Sequence, residues 1–114
     1  MDERLEKALN YSNYMATYNN QRRLFKEQFN ENTHYFINGS HFVITVELIN
    51  YVSFLTNRGL TNSVLLDHNE NPVEIENLEE FLDNITDMYF HALNTYMTNI
   101  KNLKNKRSVE KLIE

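Results

Sequence analysis

The sequence predicts a helix-rich α+β domain in which two long helices pack antiparallel with a hairpin–short helix–hairpin insert between them. Three observations predict it. Residues 3–31 and 78–105 each run without Gly or Pro under apolar periodicity of the helical kind. An Asn-Gly pair and an Asp/Asn/Pro loop each lie between two β-type runs. Thr45 and Gly59 bracket an apolar stretch in the way a helix start and stop would. At 114 residues and 41% apolar, the chain suffices for a single domain, 1–114, with one core.

The first helix, 3–31, carries an aromatic stripe. With Tyr11 at zero on a helical wheel, Tyr14, Met15, Tyr18, Phe25 and Phe29 fall within about 60° of it. Leu5, Leu9 and Leu24 fall outside that stripe and offer a second contact surface. Asn30-Glu31-Asn32 ends the helix. Residues 33–44 form a hairpin: Thr33–Ile37 and Ser40–Ile44 flank Asn38-Gly39, the pair that tolerates the positive φ of a type I′ turn. Residues 46–58 are apolar on every side, as a buried strand would be. The N-cap Thr45, the first-turn Glu47, the last-turn Arg58 and Gly59 favour a short buried helix instead.

Residues 63–76 read as a second hairpin, Val64-Leu65-Leu66 and the apolar–acidic alternation Val73-Glu74-Ile75-Glu76 flanking Asp67–Pro72. Asn77 then caps a helix over 78–105. Leu78, Leu82, Ile85, Tyr89, Ala92, Tyr96, Asn99 and Leu103 follow alternating spacings of four and three, a heptad seam. Acidic residues crowd its start and basic ones its end, which complements the helix dipole. Each long helix measures about 42 Å at 1.5 Å per residue, against a radius of gyration of about 13 Å for a compact chain of this size. Antiparallel pairing with the insert at one end satisfies both. The alternative is that the seam pairs with a second copy.

Composition excludes several function classes. No run of about 18 apolar residues exists, so no helix is expected to span a membrane. Met1-Asp2-Glu3-Arg4 opens acidic, unlike a signal peptide, which places the expected location in the cytoplasm. With no cysteine there is no disulfide, thiolate nucleophile or cysteine zinc site. The 18 asparagines beside 3 alanines, 2 glycines and 1 proline reflect A+T-rich codons more than chemistry.

No catalytic, cofactor or metal residues are expected, and no small-molecule substrate is evident. His34 and His41 flank the Asn-Gly turn, one on each arm, where they can face each other across the hairpin; a carboxylate would have to join them to seat a metal. His68 lies in a polar loop, and His91 faces away from the seam. Asp67, Asn69 and Asn71 match the first positions of a calcium loop. The match then fails, because Pro72 stands where glycine is needed and Leu78 where the bidentate glutamate is needed. Glu76, Glu79, Glu80, Asp83 and Asp87 share helical spacing and read as a solvated face at a helix start.

Three stretches resemble small uncharacterised proteins of T-even-like tailed phages of marine bacteria: Phe42–Val52, Val64–Ile75 and Leu103–Glu110. The resemblance implies a virion-assembly or host-takeover role, in a bacterial host's cytoplasm, and carries over no catalytic residue. The helix–hairpins–helix outline is also similar to prefoldin-type chaperones, from which the helical middle segment departs.

The expected function is a non-enzymatic interaction or assembly protein working through its long helices. Its expected partner is a second copy of itself, as a homo-oligomer, or another assembly protein. The alternative is a small nucleic-acid-binding accessory protein using Arg22, Arg23, Lys101, Lys104, Lys106 and Arg107, against which the net charge of −5 argues. Asn99 distinguishes the pairings of the seam. Within one chain it would lie near Leu9 or Asn10; between parallel copies it would face its own counterpart.

Overall fold

The computed structural model describes residues 2–113, with the side chains of residues 2–106. The elements follow in the expected order: α1 (Glu3–Asn32), β1 (His34–Ile37), β2 (Ser40–Val43), α2 (Val46–Asn57), β3 (Ser63–Leu66), β4 (Pro72–Ile75) and α3 (Leu78–Ile113). The molecule is helix-rich, and its two long helices, α1 and α3, pack against each other. The chain divides into two compact units, residues 30–94 and residues 1–29 with 95–114.

Residues 30–94 hold the core. β1 and β2 pair antiparallel with Ile37 opposite Ser40, leaving a two-residue turn. Asn38 and Gly39 both take positive φ, 51° and 75°, as a type I′ turn demands. Thr33 fastens the base of this hairpin, for its carbonyl accepts from the Ile44 N–H and its hydroxyl donates to the Asn30 carbonyl. α2 opens on Thr45, whose side chain accepts from the Leu48 N–H at 3.1 Å. It closes on a Schellman motif. Gly59, at φ 84°, donates to the Thr56 carbonyl, and the Leu60 N–H donates to that of Leu55. The helix expected over 46–58 is therefore present, with both of its boundary signals in use.

β3 and β4 pair antiparallel as a second two-stranded sheet, with Leu65 opposite Val73 and Ser63 opposite Ile75 on the inward face. Isolated two-stranded hairpins are at best marginally stable. Here both are sealed by helices. Phe42, Ile44, Val52, Leu55, Leu65, Ile75, Leu78, Phe81 and Ile85 make one buried cluster. Phe81 meets Phe42 and Tyr35 edge-on at 5.3 and 5.9 Å between ring centres. The first turns of α3 thus serve as the lid on the insert's apolar faces.

In residues 1–29 with 95–114 the helices run antiparallel: Phe29 lies against Tyr96 (5.5 Å between ring centres), and Gln21 and Phe25 line one cavity with Leu103 and Lys106. The buried side chains described there are Tyr18 and Leu103. Tyr14, Met15, Phe25 and Phe29 turn partly inward, as the stripe requires, whereas Tyr11 is 60% exposed and leaves it. Two boundaries move outward. α1 ends at Asn32 and α3 continues to Ile113, through residues that include neither Gly nor Pro.

Candidate functional site

The heptad seam faces inward along its described length. Leu78 and Ile85 are fully buried in the core cluster, and Leu82 and Tyr89 pack against it. Ala92 and Leu103 are buried, while Tyr96 and Asn99 are half-buried. The chain supplies contacts to this seam itself: the insert for its first half, and Phe29 and Gln28 for Tyr96 and Asn99.

The register differs from expectation. Asn99 donates to the Gln28 side chain at 3.4 Å, instead of lying near Leu9 or Asn10. The expected register set residue 31 beside residue 78. In the molecule the segment 78–89 is committed to covering the hairpins and α2, so α1 meets α3 further along. Lys26 spans the Phe29 and Tyr96 rings, its ammonium 4.7 and 5.5 Å from their centres.

The other side of α1 is uncovered. Leu5, Leu9 and Leu24 are about half exposed (51%, 45% and 49%), and at about 3.6 residues per turn they lie opposite the inward stripe. Of the 30 residues of α1, Tyr18 is the one that is buried.

The basic residues converge only in part. Arg22, Arg23, Lys101, Lys104 and Lys106 are exposed residues of the helix pair, and Lys106 shares its cavity with Gln21, the neighbour of Arg22. Arg23 is held by Asn20 (2.6 Å) and Glu27 (4.0 Å). Arg107 lies outside the residues whose side chains are described.

The histidines are brought together, His34 and His41 across the hairpin as its turn requires and His68 from a loop the sequence does not connect to them. His34 and His41 are diagonal neighbours on one face of the β1–β2 hairpin, with His34 Nδ1 and His41 Nε2 2.6 Å apart, ring centres 4.8 Å apart and ring planes inclined by 19°, so that the rings meet edge to edge. Phe36 stacks on His41 at 4.5 Å. His68, from the β3–β4 loop, sets its ring edge-on to His41 at 5.1 Å, and its N–H donates to the His41 carbonyl at 2.7 Å. Partial loss of hydration, followed by the charges of His34 and His68, holds His41 below the ordinary imidazole range; Asp67 pulls the other way. Among the described residues no group of three or more His, Asp or Glu is arranged to hold a metal ion. His91 is exposed.

Asp67 does turn chemistry. Its side chain, nearly buried, accepts from the Asn69 and Asn71 N–H groups at 2.9 and 2.8 Å. Asn77 caps α3 by accepting from the Glu80 N–H at 3.1 Å, and Glu76, Glu79, Glu80, Asp83 and Asp87 are exposed around that helix start. Beside it lies an open cavity of about 420 Å³, rimmed by Glu74, Glu76, Glu80 and Asn84 over Ile75 and Phe81. No described helix is long and apolar enough to cross a membrane. Comparisons with protein-family models, curated proteins and solved structures found no match to the chain.

Proposed function

We propose that the protein is a non-enzymatic interaction or assembly protein that binds a second copy of itself, or another assembly protein, through α1. One observation carries this reading: a 30-residue helix buries a single side chain, Tyr18, and leaves Leu5, Leu9 and Leu24 uncovered. Helices in proteins owe most of their stability to the packing of an apolar face. With so little of the described chain against it, a helix of this length is suited to packing on a partner. The seam of α3 is supported as an intramolecular surface, so the contact face moves from the seam to the far side of α1. The resemblance to tailed-phage proteins fits a virion-assembly or host-takeover role of this kind.

Light scattering across a concentration series tests the reading. Self-association below about 100 μM that is weakened by Leu5→Asp/Leu9→Asp, with the circular dichroism of the insert retained, is the expected result. A strict monomer that also captures no helical partner contradicts it. Nucleic-acid binding is the second reading, favoured by Lys106 lining a cavity with Gln21, the chain neighbour of Arg22. A gel shift at about 50 mM salt, where phosphate contacts are strongest, decides it; absence of binding there removes it.

A further inference from the structure

We infer that His34 and His41 form an acid-sensitive latch between the two hairpins, closed by one shared proton and opened by a second, which releases the His68 N–H from the His41 carbonyl. The geometry dictates the proton count. Two ring nitrogens 2.6 Å apart hold one hydrogen between them, donated by either ring according to tautomer. A first added proton goes to an outward nitrogen of the donor ring, and the shared bond becomes charge-assisted and survives. A second must enter the lone pair that accepts the bond. Two N–H groups then face each other with two positive charges at contact, and the rings separate. Opening therefore takes up one proton.

The contacts around His41 carry this local event to the second hairpin. Phe36 covers one face of the His41 ring; His34 approaches from β1, and His68 and Asp67 from the β3–β4 loop. These are the titratable groups acting on His41, and two of the three add positive charge on acidification. The His41 backbone carbonyl is also the acceptor that ties the loop down through His68. Displacing the His41 side chain thus disturbs the strand residue to which the other hairpin is bonded. The sign follows from linkage. The closed junction holds His41 below its ordinary value of about 6.5, so below that pH the open state binds more protons and the closed state loses stability.

Amide hydrogen exchange, followed residue by residue by NMR and corrected for the intrinsic pH dependence, tests the latch. The protection factor of His68 is expected to fall about tenfold per pH unit once the pH is well below 6, while that of Val52 in α2 holds. His34→Gln keeps a hydrogen-bonding side chain but takes up no proton, so the His68 amide should stay protected at low pH. Unchanged His68 protection at pH 5, an equal loss at Val52, or the same pH dependence in His34→Gln overturns the proposal. Should that variant fail to fold, ring-nitrogen shifts of the unmodified protein decide instead. Two coupled protonation steps for His34 and His41 support the latch, and two independent ordinary titrations overturn it.

Discussion

Residues 30–94 and the helix pair 1–29 with 95–114 differ in what stabilises them. The first unit buries Phe42, Ile44, Val52, Leu55, Leu65, Ile75, Leu78, Phe81 and Ile85 in one cluster, and specific bonds at Thr33, Thr45, Gly59, Asp67 and Asn77 secure its turns and helix ends. The second has Tyr18 and Leu103 as its described buried side chains, and its helix contact mixes rings with Gln28, Asn99 and Lys26. A long helix is easily written in sequence, through the absence of breakers and a periodic stripe. Burial is a separate matter, and short strands closed by a helix achieve more of it here than 30 residues of α1. The unit with less regular structure is the one with the core.

The largest expected effect contrasts the two interiors directly. Phe81→Ala, at a site 2% exposed between Phe42 and Tyr35, should cost about 3–5 kcal/mol in urea unfolding. Phe25→Ala, half-buried on α1, should cost about 1 kcal/mol because much of that ring already meets water. Equal losses would erase the contrast. Next in size is Gly39→Ala. An added Cβ meets no atom there, so the loss of about 1–2 kcal/mol is the cost of positive φ alone. Thr45→Ala removes the bond to the Leu48 N–H and should cost about 1 kcal/mol. Both changes act on the first unit and should lower its melting temperature without altering association through α1.

The smallest effect has the opposite sign. Asn99→Leu gives up a long bond to Gln28 and places apolar surface against Phe25 and Leu103, which line the same cavity of about 220 Å³. It should stabilise the helix pair by about 0.5–1 kcal/mol. A loss of stability would show that the Gln28–Asn99 pair contributes more than its geometry suggests.

Where local chemistry decides an element, the sequence was readable. Asn38-Gly39 fixes a type I′ turn, Thr45 and Gly59 fix the ends of α2, and Asn77 starts α3, each through its own backbone or side-chain bond. The inward face of α3 was readable for the same reason, since Leu78, Ile85 and Ala92 recur with the helix period. Register between helices was not. A heptad pattern repeats itself, so sliding α1 along α3 by whole heptads leaves the same faces in contact. What selects the partner of Asn99 is the amount of α3 that the insert occupies, a tertiary fact. The histidine cluster was half readable. The Asn-Gly turn places His34 and His41 on one hairpin face, but His68 reaches them only through a bond from the β3–β4 loop to strand β2, distant in sequence.

Native-state hydrogen exchange at two protein concentrations tests the central contrast most directly. At about 5 μM the amides of residues 5–13 should exchange almost unprotected, while Val52 and Ile85 exchange only through global unfolding. At about 200 μM the α1 amides should gain protection as a partner copy covers Leu5 and Leu9, with Val52 and Ile85 unchanged. Residues 5–13 protected as strongly as Val52 at the lower concentration would contradict the account, because α1 would then be stabilised by its own chain.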